Sequence, residues 1–498
     1  MLRRLGFNGF FTLKTLIYSK KRGKIYRFDE KEYEKMTETV KNNPLGSEPV
    51  KKLMIKFSIP SIVAMLVGAL YNIVDQLFIG NSVGQLGNAA TNIAFPFSTS
   101  CIAVALLFGI GGASCFNLSM GRGEKDKAPY FVGNALVMLT MIGIVIMLIS
   151  EIFLEPLLKL FGSPNDVLPY AVEYVKIVAL GFPFLILTTG GSHLIRADGS
   201  PNFSMACNLI GAILNTILDA VFVLKLDMGM TGAALATVIG QVVSAVIAVV
   251  YLFHFKTVPL KKEHFKPNFT YISRTASIGM ASFINQLAIM VVQIVLNNSL
   301  KAYGETSIYG ASIPIACAGI AMKVNQIMFS VVIGLAQGTQ PIESFNYGAK
   351  QYKRVKSAFM LALTVAAIFS LCCFALFQLF PREIMEMFGD GSEEYFEFGE
   401  KMFRIFLFFT WLNCMQPIST TFFTSIGKPI KGAFLSLTRQ FLFFIPFLII
   451  LPIKMGIDGI VYAGPCADLL SGIVSVIMAA HEFGNMKKLE EGELMRNA

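Results

Sequence analysis

Twelve long apolar runs, separated by short polar stretches, make up most of this 498-residue sequence. Each run has about twenty residues or more, the length that an α-helix needs to cross the hydrocarbon core of a bilayer. Because lipid offers no partner to a backbone amide, such runs form helices, which satisfy their own hydrogen bonds. The pattern therefore predicts an all-α membrane protein with twelve transmembrane helices, called spans 1 to 12 in chain order. The predicted spans are residues 55–79, 91–118, 130–150, 167–191, 203–224, 232–254, 273–300, 308–340, 356–380, 399–425, 432–453 and 459–481.

The second half of the chain repeats the first. Three pairs of similar segments stand 227 or 228 residues apart: Leu160–Gly162 and Met387–Gly389, Gly199–Pro201 and Gly427–Pro429, and Met228–Gly232 and Met455–Gly459. Six is an even number of crossings, so both halves start on the same side of the membrane, as parallel repeats do. The repeat predicts two pseudo-symmetric six-helix lobes. The N-lobe covers residues 51–254, the linker 255–272 and the C-lobe 273–482.

Lys and Arg are distributed unevenly between the two sides of the predicted membrane. Alternate loops on one side carry fifteen of them, and the loops on the other side carry five. Because such an excess marks the cytoplasmic side, the N-terminal tail 1–50 and the C-terminal tail 483–498 are predicted to be cytoplasmic. The chain is then a multi-pass protein of the plasma membrane. Met36 offers an alternative start, in which case residues 1–35 are an upstream stretch that is not used.

Composition narrows the classes of function. The chain is 54% hydrophobic and 15% charged, with a net charge of +10. This charge follows the pattern of membrane topology, so we expect no nucleic-acid partner. The sequence has no G-x-x-x-x-G-K-[ST] motif for ATP and no H-E-x-x-H metal motif, and its eight cysteines lie mostly inside apolar runs. We expect no cofactor and no enzymatic activity, and we expect the protein to work as a monomer.

Asp75 is the one acid in a mostly apolar run, that of predicted span 1. A charged side chain at the centre of a bilayer costs roughly 2.5–3.5 kcal/mol on insertion scales, so such residues indicate function. Asp75, Asp219 and Thr237 each lie five or six residues from the outer end of their spans, a depth of roughly 8–9 Å. Asn215 shares a helix face with Asp219. The four side chains are predicted to form an all-oxygen site for Na⁺ or a shared proton. The alternative is that each acid is hydrogen-bonded separately and is structural.

Other polar residues are candidates for supporting roles. Three of them flank Asp75: Tyr71, Asn72 and Gln76. Predicted span 7 has no acid, so the cation site is assigned to the N-lobe alone. Three charged residues lie within C-lobe spans: Lys323, Arg439 and Asp468. These three predict either a structural ion pair or a polar site in the C-lobe.

The sequence resembles the multidrug and toxic compound extrusion (MATE) family of cation-coupled antiporters over about residues 42–482. The resemblance rests on these segments: Asn43–Pro49 leading into Lys56–Pro60, Tyr71–Asp75, Asn215-x-x-x-Asp219, Gly229–Thr237, Gln337–Pro341 and Asn346–Ala349. It implies exchange of extracellular Na⁺ or H⁺ for small lipophilic, often cationic, compounds by alternating access. It implies the cation site at Asp75, Asn215, Asp219 and Thr237. It also implies a gating role for Pro60 in span 1.

Two other functions were compared with export. A flippase for a lipid-linked precursor has the same broad architecture, but twelve spans and few intramembrane Lys or Arg residues count against it. An intramembrane enzyme with paired aspartates is disfavoured because the sequence has no Gly-x-Gly-Asp motif and the acids lie near the outer surface.

Overall fold

The computed structural model describes residues 20–21, 24–25, 41, 43–310, 312–388 and 392–497. Most of the predicted N-terminal tail, including Met36 and the question of an upstream start, lies outside these residues. Within the tail, Lys20–Lys21 pairs antiparallel with Lys24–Ile25. Near the other terminus, the helix of span 12 continues through the predicted tail to Asn497.

Long helices lie at every predicted span. Those of the N-lobe are Val50–Ser82, Gln85–Gly121, Ala128–Ile152, Leu168–Ala197, Pro201–Asp219 with a π-helical turn Ala220–Lys225, and Gly229–Phe253. Those of spans 7, 8, 9 and 12 are Phe269–Glu305, Ser312–Gly348, Tyr352–Leu379 and Ile457–Asn497. Span 11 consists of Pro429–Leu437, the π-helical turn Thr438–Phe444 and Ile445–Met455. The short helices are Pro44–Ser47, Leu154–Leu160, Pro381–Glu386 and a 3₁₀ turn at Lys262–Phe265.

Span 10 is the most divided crossing among the described residues. It is divided into Glu393–Lys401, a π-helical turn Met402–Phe406, Thr410–Asn413 and Met415–Ser425. Groups from within the protein satisfy the backbone at the break: Gln378 Nε2 donates to Arg404 O at 2.8 Å, and Thr410 Oγ1 donates to Leu407 O at 2.6 Å. Backbone carbonyls freed by a break in a helix are tolerated at membrane depth when other groups of the protein satisfy them in this way. Eleven uninterrupted helices of the described residues are long and apolar enough to span a membrane. With the broken span 10, the prediction of twelve spans in two lobes is confirmed.

The two lobes meet at one end of the molecule, where the loops are rich in Lys and Arg. We call this the basic end and the other the opposite end. At the basic end, glycines bring helix backbones into direct contact. A methyl group built on Gly279 of span 7 would overlap Leu107 O of span 2, and one on Gly338 of span 8 would lie 2.5 Å from Ser58 Cα of span 1. Such contacts let helices approach closely within lipid.

Hydrogen bonds between the lobes also lie at the basic end. Arg196 of span 4 donates to Gln337 Oε1 at 3.1 Å, and Gln340 Nε2 donates to Ser114 Oγ at 2.9 Å. Arg354 of span 9 donates to the carbonyl oxygen of Glu48 at 2.6 Å, just before span 1. These bonds satisfy buried polar groups that would otherwise be costly in a membrane.

The buried apolar residues form two main clusters that show where the lobes separate. The larger one joins the N-lobe core to basic-end residues of the C-lobe, such as Ile342 and Phe359. The second contains C-lobe residues from its opposite end, such as Val292, Phe377 and Phe444. The lobes therefore share a core at the basic end and have separate cores at the opposite end. We call the space between them at the opposite end the cleft.

We expect Gly279→Ala to force spans 2 and 7 apart, because the added methyl group has no space beside Leu107 O. Cys115 is buried at this contact, so it can report on the separation. In a variant that retains Cys115 as its single cysteine, maleimide labelling of Cys115 should become severalfold faster.

The matched control is Gly319→Ala in span 8, where nothing lies within 4 Å of the added atom. Equal labelling rates in the two variants would show that the glycine contact does not hold the lobes together.

Candidate functional site

Two buried aspartates meet inside the N-lobe. Asp75 lies on span 1, and Asp219 is the last α-helical residue of span 5, immediately before the π-helical turn. Their exposed fractions are 8% and 0%, and their carboxyl groups lie within hydrogen-bonding reach of each other. A π-helical turn widens the helix locally and is frequent at functional sites.

The oxygens of this pair have few donors. Asp75 Oδ1 and both carboxyl oxygens of Asp219 are buried and have no hydrogen-bond partner among the described residues. Two carboxylates this close repel each other unless a proton or a cation lies between them. Their all-oxygen chemistry suits a proton or a hard cation such as Na⁺.

Spans 5 and 6 bring an amide and a hydroxyl to the same site. Asn215 Nδ2 donates to Thr237 Oγ1 at 3.3 Å, while Asn215 Oδ1 is buried without a donor. The approach is possible because Gly240 leaves no side chain between the spans: a Cβ there would lie 2.8 Å from Gly211 O. All four residues predicted for the cation site are therefore brought together. Asn215 Oδ1 is a fourth buried oxygen without a donor, beside the three oxygens of the aspartates.

Two tyrosines complete the cluster. The hydroxyl groups of Tyr71 and Tyr174 both lie within hydrogen-bonding reach of Thr237, and both rings are close to the two aspartates. Tyr71 was predicted to support the site, whereas Tyr174 was missed. It lies six residues from the start of span 4 at Leu168, which is roughly 9 Å of helix. Counting residues from the outer end of the span, as was done for Asp219 and Thr237, places Tyr174 at nearly the same depth as these two residues.

The remaining N-lobe candidates are more distant or are not described. Gln76 is half-buried, and the side chain of Asn72 lies outside the described residues. Pro60 lies fifteen residues before Asp75, roughly 22 Å along span 1. It stands between Ser58 and Ile62, two residues whose backbone span 8 contacts. Two residues correspond to a rotation of about 200° around a helix, so Pro60 is on the face of span 1 opposite this contact, and it does not touch the aspartates.

Two of the three charged residues predicted in the C-lobe contact each other. Arg439, in the π-helical turn of span 11, donates from Nε to Asp468 Oδ1 of span 12 at 2.7 Å. Lys323 is exposed and makes no ion pair or hydrogen bond with another described residue. The predicted ion pair therefore joins Arg439 and Asp468 and does not include Lys323, while a polar site shared by the three residues stays a prediction. Sequence position gave the depth of Lys323, but not the helix face on which it lies.

Comparison with known proteins places this architecture in a family. A family model described as MatE matches residues 60–221 and 307–450. Multidrug export protein MepA of Staphylococcus aureus (strain MSSA476) is 24% identical over 431 residues, which are 86% of this chain and 93% of that protein. MepA of Staphylococcus saprophyticus is 23% identical over 430 residues, with the same two coverages.

Solved structures share the fold. A crystal structure of MATE in complex with MaL6 has a TM-score of 0.83 at 22% identity, covering 89% of this chain and 99% of that one. The outward-facing conformation of a multidrug resistance MATE family transporter of the MOP superfamily has a TM-score of 0.82 at 22% identity, with coverages of 91% and 98%. Because the MatE model matches more than half of its residues, the chain belongs to the MATE family of membrane transporters.

Proposed function

We propose that this protein is a secondary active multidrug exporter of the plasma membrane. It exchanges extracellular Na⁺ or H⁺ for small lipophilic, often cationic, compounds. The observation that carries the proposal is the pair of buried carboxyl groups at Asp75 and Asp219 in a two-lobed helical protein whose lobes are joined at one end. The printed names of its relatives, multidrug export proteins, support the export of drugs.

The orientation follows from charge. If the basic end is cytoplasmic, as the positive-inside rule favours, the joined end faces the cell interior and the cleft faces outward. Cations then reach the aspartates from the external solution. The depth of Asp75, seven residues from the end of span 1 at Ser82, is roughly 10 Å.

Span 1 connects the cation site to the lobe contact. Asp75 lies near one end of this helix, and Ser58 and Ile62 contact span 8 near the other. Pro60 lies between them and has no N–H, so the helix lacks one hydrogen bond at this point and can bend there. A cation between the two aspartates removes their repulsion and changes how spans 1 and 5 pack. The change reaches the lobe contact along one helix.

The driving force is adequate for export. One monovalent charge that crosses 100 mV provides about 2.3 kcal/mol. Because about 1.4 kcal/mol corresponds to a tenfold ratio, one such charge supports a roughly 50-fold gradient of a second monovalent species.

Lys323 places a positive charge in the cleft, where it would act on a charged transport substrate. Lys323 lies eleven residues, about three turns, before Gly334, so it is on the face of span 8 that contacts span 1 at the basic end. Asn297 is five turns beyond Gly279 of span 7 and is also exposed. Both residues therefore face the cleft.

We expect Asp75→Asn to abolish coupled export, because the neutral amide removes the charge that attracts the coupling cation. The measurement is drug transport in proteoliposomes with Na⁺ and H⁺ gradients imposed independently. Asp227→Asn is a suitable control, since Asp227 is exposed in a loop with φ of 50°, a conformation that Asn accepts. Undiminished coupled transport by Asp75→Asn would overturn the proposal.

A second test concerns stability. Wild-type protein should melt at a higher temperature when the coupling cation fills the site, by the equivalent of ~2.7 kcal/mol at one hundred times its dissociation constant. The variant Asp219→Asn should lose this dependence, whether the ion is Na⁺ or a proton supplied by lower pH. Melting of purified protein across Na⁺ and pH series measures the effect. A variant that keeps the wild-type dependence would exclude Asp219 as a ligand.

We expect Lys323→Gln to increase the export of cationic substrates relative to neutral ones. Two like charges about 4 Å apart repel by roughly 1 kcal/mol in water, so removal of this one should raise export of a cation relative to a neutral compound about fivefold. Lys301→Gln, at the exposed outer part of span 7, is the control. An unchanged ratio would show that cargo does not approach Lys323. Loss of lipid-linked sugar translocation in the same variant would instead support the flippase alternative.

A further inference from the structure

A cavity opens at the basic end, where the two lobes meet. We call this contact between the lobes the seam. The volume of the cavity is about 520 Å³, within the range of small-ligand sites. Its polar lining comes from both lobes: Arg122 follows span 2, and Thr270, Ser273, Arg274 and Ser277 lie on the first turns of span 7. The cavity is far from the aspartates, which lie toward the opposite end, and the proposed transport cycle does not use it.

The charge of this cavity is positive and uncompensated. Its lining contains two arginines and no acid. Neither guanidinium makes an ion pair or hydrogen bond with another residue of the described chain, and that of Arg274 lies 5.9 Å from the ring of Phe131. Elsewhere at this end, buried or half-buried cations have partners: Lys428 and Lys431 both contact Glu482. Unlike these half-buried lysines, Arg122 and Arg274 are exposed, so their charge is open to a ligand from solution or from the membrane surface.

The hydroxyl groups complete an anion site. Thr270, Ser273 and Ser277 are spaced three and four residues apart, so they lie on one face of span 7 beside Arg274. The planar guanidinium group of an arginine can donate two parallel hydrogen bonds, and each hydroxyl group can donate one. Together they can bind the oxygens of a phosphate group. A phosphate dianion would neutralise both arginines at once, and the single negative charge of a phosphodiester would attract both.

The rim of the cavity is apolar and lies where spans 7 and 11 begin. Phe269, which lines it, is 83% exposed, and Ile430, next to the lining residue Pro429, is 84% exposed. In a membrane protein, exposed apolar side chains beside a basic pocket can contact acyl chains while the pocket holds the headgroup. A phospholipid fits this arrangement, and a soluble phosphate compound shares its charged group.

We propose that this cavity binds the phosphate group of an anionic ligand, and that the bound phosphate ties the two lobes together at the basic end. Without an anion, Arg122 of the N-lobe and Arg274 of the C-lobe repel each other across the seam. With one, both are attracted to the same group. A ligand that contacts both lobes binds best when they are joined there, so it shifts the protein toward that arrangement.

The test uses the full chain, retaining Cys115 as its single cysteine, because this residue is buried between spans 2 and 7 beside the cavity. Maleimide labelling of Cys115 is measured in vesicles of phosphatidylcholine, in the same vesicles with phosphatidylglycerol, and in phosphatidylcholine with added inorganic phosphate. We expect phosphatidylglycerol to slow labelling severalfold. Protection by inorganic phosphate alone would identify a soluble phosphate as sufficient, and protection by phosphatidylglycerol alone would identify a lipid.

For Arg122→Gln and for Arg274→Gln, we expect the ligand concentration that gives the same protection of Cys115 to rise about fivefold. This factor corresponds to ~1 kcal/mol for one basic residue near an anionic surface. Arg274→Lys keeps the charge and should retain most of the protection, which also checks folding at this position. Lys125→Gln removes an exposed charge at the same end without altering the cavity lining and should behave as wild type.

Two outcomes would overturn the proposal. One is that neither phosphatidylglycerol nor phosphate changes the labelling of wild-type Cys115. The other is that Arg122→Gln and Arg274→Gln are protected as well as Lys125→Gln, since the effect would then be general surface electrostatics. Because labelling is measured without a drug or a cation gradient, the result is independent of the exporter proposal.

Discussion

Two carboxyl groups that meet inside lipid impose the strongest constraint on this structure. Asp75 and Asp219 come from different helices, and burial deprives them of water. The protein could have neutralised them with a buried Lys or Arg, as it does for Asp468 with Arg439. Instead it surrounds them with the oxygens of Asn215, Thr237, Tyr71 and Tyr174. In the proposed exporter, a mobile positive charge completes this site, and the packing of spans 1, 4, 5 and 6 holds the site open for it.

The two lobes handle buried charge differently although their helices repeat. In the C-lobe, the acid and the base compensate each other at 2.7 Å, and the pair needs nothing from solution. In the N-lobe, no basic side chain approaches the aspartates among the described residues. Pseudo-symmetry of the backbone therefore coexists with asymmetry of charge. In the proposed exporter, a change in ion occupancy would therefore act on the N-lobe first.

Much of the fold could be read from the sequence, because lipid leaves few alternatives to a helix. Hydropathy located the twelve spans, and the three offsets near 227 located the two lobes. The break in span 10 could not be read in this way. It depends on Gln378 of span 9, which satisfies a carbonyl of Arg404 that the regular helix would have used. Contacts between distant parts of the chain decide such local irregularities.

The site was predicted less completely. Depth along each span brought Asp75, Asn215, Asp219 and Thr237 together, since residues at one depth in neighbouring helices can meet. The same rule was not applied to neutral tyrosines, so Tyr174 was missed. Depth also could not show that Lys323 stays outside the ion pair of Arg439 and Asp468, because depth says nothing about rotation around the helix axis. That rotation becomes known only when a contact such as Gly334 with Ile62 is seen.

The glycines at the seam have a consequence for the speed of opening. Where backbones touch directly, as at Gly279 and Gly338, few long side chains have to be frozen when the surfaces meet or freed when they part. Interdigitated side chains would have to change rotamers together on each opening, which raises the barrier. The seam also contains the ordered side chains of Arg196, Gln340 and Arg354, but at its glycine contacts two surfaces can part without a change of rotamer. The close approach of backbones makes these contacts intolerant of added atoms, so natural variation in this protein should be concentrated in the cleft, away from the seam.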